Sequence, residues 1–339
     1  MHLELDTLVA GVALLAVVVY GVLGGADFGG GIWDILARGP TKVEQRRVIA
    51  KAMGPVWEAN HVWLIFLIVI LFSAFPPAYA ALSVALFVPF HLVLVGITLR
   101  GGAFVFRAHG DEASRSRWGI VFGGASVITP VLLGMSLGAV SAGNVRIHDG
   151  VVSVVGAPAW LMPVSIAMGF FALAICSYLA AVYLTVVTGG ELQEIFRKQA
   201  LGAGTVVVLL SLVLLPLLRS RTPHLWSGLS SGPGAWVLAL GAVAALASGG
   251  ALYLRRFKIA RTAAVAQVSC LLGGWGVAQH PFLIFPDLTL DGAAAPPATL
   301  RFFLYTLPIG LALIVPSMLF LFRVYLPANA EGGAGKPGR

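Results

Sequence analysis

Long apolar runs alternate with short polar, mostly basic stretches along the 339 residues. Runs of about 20 apolar residues, the length a helix needs to cross hydrocarbon, occur near 7–24, 55–75, 79–100, 118–141, 160–188, 202–218, 234–254, 262–279 and 302–325. The pattern predicts an all-α polytopic membrane protein of nine transmembrane helices, with one transmembrane domain over 1–327. The Gly- and Ala-rich remainder, 328–339, reads as a flexible cytoplasmic tail. Residues 157–198 faintly echo 1–51, each with a long helix, a Gly-rich exit and an amphipathic basic segment. That echo points to two four-helix bundles plus one extra helix.

Composition agrees: 58% hydrophobic residues, 11% charged residues and a mean hydropathy of +0.92 exclude an ordinary soluble domain. The net charge of +8 is a topology signal and not a nucleic-acid one, because the basic residues are strongly sided. If the segment 38–51 is cytoplasmic, all but Arg146, Arg219, Arg221 and Arg301 of the 22 Lys and Arg fall on that side. This places the N-terminus outside and the C-terminus inside. Met1 to Asp6 carries Glu4 and Asp6 without a basic residue, so the first helix reads as retained and not as a cleaved signal. Cys176 and Cys270 lie inside expected helices without a short-range metal-ligand partner, and packing is the simpler reading.

Ionisable residues at membrane depth are costly, so each marks a candidate site. In Trp57-Glu58-Ala59-Asn60-His61-Val62-Trp63 an acid, an amide and an imidazole stand together. Glu58 and His61 are three residues apart and share a helix face. They suit either a proton-exchanging group or a neutral structural pair, with Trp57 and Trp63 as interfacial or packing residues. Gly24-Gly-Ala-Asp27-Phe28-Gly-Gly-Gly31 holds five glycines in eight residues, which permit close helix contact or unusual backbone angles. Asp27 there is either part of a cap and tight turn or a partner in an ion pair or proton path. Arg100, in Leu99-Arg100-Gly101, lies on the same membrane side and can either snorkel or pair with Asp27. His91 and His61 raise the alternatives of haem ligation and interhelical hydrogen bonding. On the outer side, Pro281 to Arg301 reads as a rigid turn entering the last helix.

These segments together resemble subunit II of the cytochrome bd family of quinol oxidases. The likeness rests on Gly25-Ala26-Asp27-Phe28-Gly29, Gly54-Pro55-Val56-Trp57-Glu58-Ala59-Asn60-His61-Val62-Trp63 with Phe75-Pro76, Leu99-Arg100-Gly101 with Phe104, and the stretches Pro281 to Asp287 and Ala293 to Arg301. The resemblance implies a heterodimer in the cytoplasmic membrane of a bacterium or archaeon, joined to a subunit I that carries the haems, of b and d type or b type, and the quinol site. It also implies a complex that reduces O2 to water with cytoplasmic protons, and in some members a small accessory subunit. By the same resemblance this chain has no haem or metal of its own and performs no catalysis, although some members hold a structural quinone or lipid. Carried over by motif, Glu58 is the leading proton-relay residue, with Asp27, Asn60 and His61 beside it, and Arg100 matches the arginine of the LRG motif. Gly24 departs from the pattern, since many members have Glu there. Two rival readings stay open: a purely structural membrane partner, and a proton- or ion-coupled secondary transporter.

Overall fold

The computed structural model describes residues 4–109 and 111–325, apart from the side chains of 55, 58, 108, 109, 112, 113 and 321–325; the expected tail 328–339 lies outside the described residues. In hydrocarbon every backbone amide and carbonyl needs an internal partner, so the apolar runs become helices. These are α1 (Leu5–Leu36), α2 (Lys42–Ala74), α3 (Pro76–Ala85), α4 (Phe87–His109) and α5 (Glu112–Ser141), then α6 (Pro163–Val187), α7 (Gly190–Arg221), α8 (Pro223–Ser230), α9 (Gly232–Tyr253) and α10 (Phe257–Gln279), and finally α11 (Leu290–Ala293) and α12 (Pro297–Tyr325).

Seven of these helices, α1, α4, α5, α6, α7, α9 and α12, are long and apolar enough to cross a membrane over their described residues, and α2 makes eight if its two segments count as one span. The ninth expected span falls in α10, which has 23 residues but carries Lys258, Arg261 and Gln267 in its first half. Three expected boundaries also shift. The basic stretch from Lys42 is not a loop but the first turns of α2, which bends by 45° between Lys42–Gly54 and Ala59–Ala74. Pro55 at that junction lacks the amide that would continue the ladder. The run 79–100 is divided at Leu86 into α3 and α4, and the amphipathic segment from Gly190 is continuous with α7.

The element order of the first half recurs in the second: two long helices, a short one opened by proline, then two more. The residues preceding the short helices have nearly the same backbone, φ −134° and ψ 58° at Phe75, φ −134° and ψ 65° at Thr222. Packing repeats as well. α1 lies on α2 and α5, and α4 on α5, as α6 lies on α7 and α10, and α9 on α10. The two sets join through α1, α5 and α6, while α12 sits outside against α2 and α1.

Small residues make the central contacts. A Cβ on Gly134 or Gly138 of α5 would stand 2.6 Å from backbone atoms of α6, and one on Gly169 of α6 would stand 2.7 Å from the Val131 carbonyl. Helices in lipid gain little from hydrophobic exclusion, so such close approach and the contacts it allows hold them together. The exposed Leu, Val, Ile and Phe side chains of α4, α7, α9 and α12 form a surface suited to lipid.

Beyond the helix ends stand two small antiparallel ribbons, β1 (Val145–His148) with β2 (Val151–Val154), and β3 (Phe282–Ile284) with β4 (Leu288–Thr289). The first turns through Asp149 and Gly150, both at positive φ (49° and 76°), the pairing that a two-residue hairpin favours. Asp287 ties the ribbons together, accepting from Arg146 Nε at 2.7 Å, Arg146 Nη2 at 3.0 Å and the Ile147 amide at 2.9 Å. The Arg146 guanidinium, chiefly through its hydrogen bond, holds the Asp287 carboxyl below the usual carboxylate range. A depressed folded-state value contributes stability that is complete above the ordinary carboxylate value, near 4, and fades as pH falls through the folded value. Acidification from neutrality to below pH 4 is therefore expected to lower the melting temperature of the native chain more than that of Arg146→Gln. Equal acid sensitivity in thermal melts would refute the coupling.

Candidate functional site

The buried polar centre is assembled by four helices of the first half. Asp27 of α1 and Arg100 of α4 are both almost fully buried, at 0% and 2% exposure, and form an ion pair. Arg100 Nη2 donates to Asp27 Oδ1 at 2.6 Å and to the Asp27 carbonyl at 2.8 Å, while Nη1 donates to Oδ2. Asn60 of α2 donates to the same Oδ2 at 2.8 Å. Arg100 Nε donates to Ser126 Oγ of α5 at 2.9 Å, and the Ser126 hydroxyl passes its own proton donor to the Phe122 carbonyl at 2.7 Å. The guanidinium carbon lies 4.9 Å from the ring centres of both Phe28 and Phe122, so its faces are covered by π clouds and its edges by oxygen. Each nitrogen of the Arg100 guanidinium thus donates to protein oxygen.

One heptad further along both helices the arrangement recurs. Asp34, 1% exposed, accepts from Arg107 Nη2 at 3.1 Å, and Arg46 of α2 donates to the Asp34 carbonyl at 3.0 Å. Arg107 covers Phe122 at 5.1 Å, so this ring lies against both arginines. Two atoms of the centre, Asp34 Oδ2 and Asn60 Oδ1, are buried and lack a hydrogen-bond partner among the described residues. Buried acceptors without partners are uncommon.

The glycines around Asp27 serve contact and not a turn. α1 continues as helix through Leu36, so the cap-and-turn alternative does not describe Asp27. Gly29 meets the Cys176 carbonyl of α6, where a Cβ would stand at 1.9 Å, and Gly25 meets Leu179, where it would stand at 2.8 Å. Gly31 gives room to Ser126, whose Oγ would lie 2.0 Å from a Cβ there. Cys176 is thus a packing residue and, like Cys270, a free thiol.

Of the other residues singled out in the sequence, Glu58 lies outside the residues whose side chains are described. His61 Nδ1 is 2.8 Å from the Trp57 carbonyl of its own helix, and its ring meets Trp57 edge-on at 5.2 Å. Trp57 also stacks with Phe104 at 6.3 Å, over Gly101. Trp63 stands apart from this group, with a buried indole N–H that has no partner among the described residues. It lines a cavity of about 240 Å³ between α2 and α12 with Phe66 and Phe303. His91 is exposed, its Nδ1 2.7 Å from the Phe87 carbonyl, and does not join the centre. The sequence reading missed Asp34, Arg107 and Ser126. The equal spacing of seven between Asp27 and Asp34 and between Arg100 and Arg107 was the available signal for the first two.

The second half has a neutral counterpart. Tyr178 and Asp27 each stand nine residues before the end of their helix, at Val187 and Leu36. Tyr178 donates to Ser248 Oγ of α9 at 2.5 Å, and Ser248 donates to the Ala260 carbonyl at 2.8 Å.

A predominantly helical, multi-pass membrane protein with charged locks buried between its helices is the class these observations define. Comparison with known proteins makes it specific. The family model for cytochrome bd terminal oxidase subunit II matches residues 5–325, and the chain belongs to that family. A Bacillus subtilis (strain 168) protein provisionally named cytochrome bd menaquinol oxidase subunit II is 24% identical over 96% of this chain and 97% of its own length. The cytochrome bd ubiquinol oxidase subunit 2 of the same organism is 32% identical over 55% of each chain. In fold the chain resembles a chain of the bd oxidase from Geobacillus thermodenitrificans, with a TM-score of 0.82 at 23% identity over 95% of this chain and 98% of that one.

Proposed function

We propose that this chain is the haem-free subunit II of a bd-type quinol:oxygen oxidoreductase, bracing a haem-bearing subunit I and helping to deliver cytoplasmic protons for the reduction of O2 to water. In this reading α2 and α10 both span the membrane, giving nine spans as two four-helix bundles plus α12, with the N-terminus outside and the C-terminus inside. Haems and the quinol site belong to the partner.

The observation that carries the proton role is the buried polar line reaching from Asp34 to Asp27 and Asn60, with Glu58 two residues before Asn60 on α2. Two carboxylates along it are held by arginines, and the unpartnered oxygens of Asp34 and Asn60 offer acceptors where water would rest. Asp27, paired with Arg100, orients Asn60. Glu58, with no Lys or Arg within four positions of it in sequence and with His61 three residues on, is the group left to load and release a proton.

A purely structural role is favoured by one specific observation: every hydrogen bond of Arg100 is spent on holding helices. The test separates the two. In the purified complex, Glu58→Gln is expected to leave haem content and assembly intact while slowing oxygen turnover at least about tenfold, on the scale of losing one positioned acid–base group. Unchanged turnover and proton uptake in a correctly assembled Glu58→Gln complex would leave only the structural role.

A further inference from the structure

The turn between α9 and α10 gathers positive charge around an open cavity of about 400 Å³. Arg255, Arg256 and Lys258 line it, together with Gln193 of α7 and the apolar Phe257 and Ile259. Arg255 holds a positive φ of 56°, and the Arg256 amide bonds back to the Ala251 carbonyl at 2.7 Å, so the turn presents these cations from a closed backbone loop. Glu194, which Arg255 Nε reaches only at 3.5 Å, is engaged by Arg197 Nη2 at 2.5 Å. Arg256 and Lys258 have no carboxylate partner among the described residues. The charge also sits at an unfavourable place: α10 begins here with no side-chain cap and no acid in its first turn, where the helix dipole itself is positive.

We infer that this cavity is a binding site for the phosphate of an anionic phospholipid, taken from the membrane leaflet on the side of the α9–α10 turn. Basic pockets between transmembrane helices recognise such headgroups. A free phosphate would satisfy the cations alone. A lipid also satisfies the apolar wall, because Phe257 and Ile259 flank the charges where a glycerol backbone and the first acyl carbons would lie, and Ile259 is 52% exposed. The counter-charge that the protein does not supply at the start of α10 then comes from the bilayer. This assignment is independent of the proton role of Glu58.

The test uses the full-length chain in its native complex, reconstituted in phosphatidylcholine nanodiscs with and without phosphatidylglycerol, and counts retained lipids by native mass spectrometry. The wild type is expected to retain phosphatidylglycerol over phosphatidylcholine, and Arg256→Gln/Lys258→Gln to lose that retention by about tenfold or more, each cation being worth several-fold near the surface. Arg115→Gln/Arg117→Gln, which removes two exposed cations from the start of α5, serves as the control and is expected to retain the lipid. Equal loss in that control, or retention in the first variant, would reduce the cluster to general surface charge and overturn the site. Complete displacement of phosphatidylglycerol by millimolar inorganic phosphate would overturn the lipid assignment in favour of a free-anion site.

Discussion

Arg100→Gln is expected to remove most of the assembled protein from the membrane. The substitution leaves the Asp27 carboxylate at 0% exposure with only Asn60 and no counter-charge, and removes the two donors that bind it. Breaking one side of a buried ion pair costs about 3–5 kcal/mol, a large part of the stability of an ordinary domain. Asp27→Asn is expected to be similarly harmful, because it strands the guanidinium between Phe28 and Phe122. A double replacement, Asp27→Asn with Arg100→Met, removes both charges and is expected to recover part of the yield, since the cost of a single replacement comes chiefly from the unpaired charge left behind. The measurement is the amount and melting temperature of the purified complex. If the double variant fell below both single ones, the pair would be more than a lock between helices.

Gly29→Val carries the second large effect. The Cβ alone would stand 1.9 Å from the Cys176 carbonyl and 2.6 Å from Ala180 Cβ, and both belong to a packed helix that cannot yield by a side-chain rotation. Overpacking costs about 1–3 kcal/mol, occasionally more, through the side-chain and backbone shifts it forces. Separation of α1 from α6 would also loosen the seam between the two halves. The expected result is loss of the folded complex, whereas Gly54→Ala, where a Cβ meets nothing within 4 Å, should be tolerated. Thermal melts of the two variants in the same detergent decide it; a stable Gly29→Val protein would mean that the helices can separate freely at this point.

The sequence made the membrane class, most spans and the pairing of Asp27 with Arg100 legible, because burying charge in hydrocarbon leaves few alternatives. Other features depended on contacts that no local pattern encodes. Ser126 looks like any small polar residue of a span until Arg100 Nε is found against it. The glycines near Asp27 were ambiguous between a turn and a close contact, and only the helices packed against them resolve the choice. The break at Leu86 lies inside a continuous apolar run, where hydropathy has nothing to register. The expected span 262–279 begins after Lys258 and Arg261, and over the whole of α10 these two and Gln267 dilute the apolar character.

The separation of Asp27 and Arg100 along the chain also imposes an order of events during synthesis. The two residues are 73 positions apart, and ribosomes add roughly 5–20 residues per second. The acid therefore enters the bilayer, or waits at its edge, for roughly 4–15 s before its cation has been made. A charged residue at mid-helix adds about 2.5–3.5 kcal/mol to insertion, a cost that falls to the other, strongly apolar residues of the first helix, of mean hydropathy 2.4 over its most apolar stretch, to offset. The strongly apolar leading segment thus has a second task beside spanning: to keep an unpaired carboxylate in the membrane or at its edge until the fourth helix arrives.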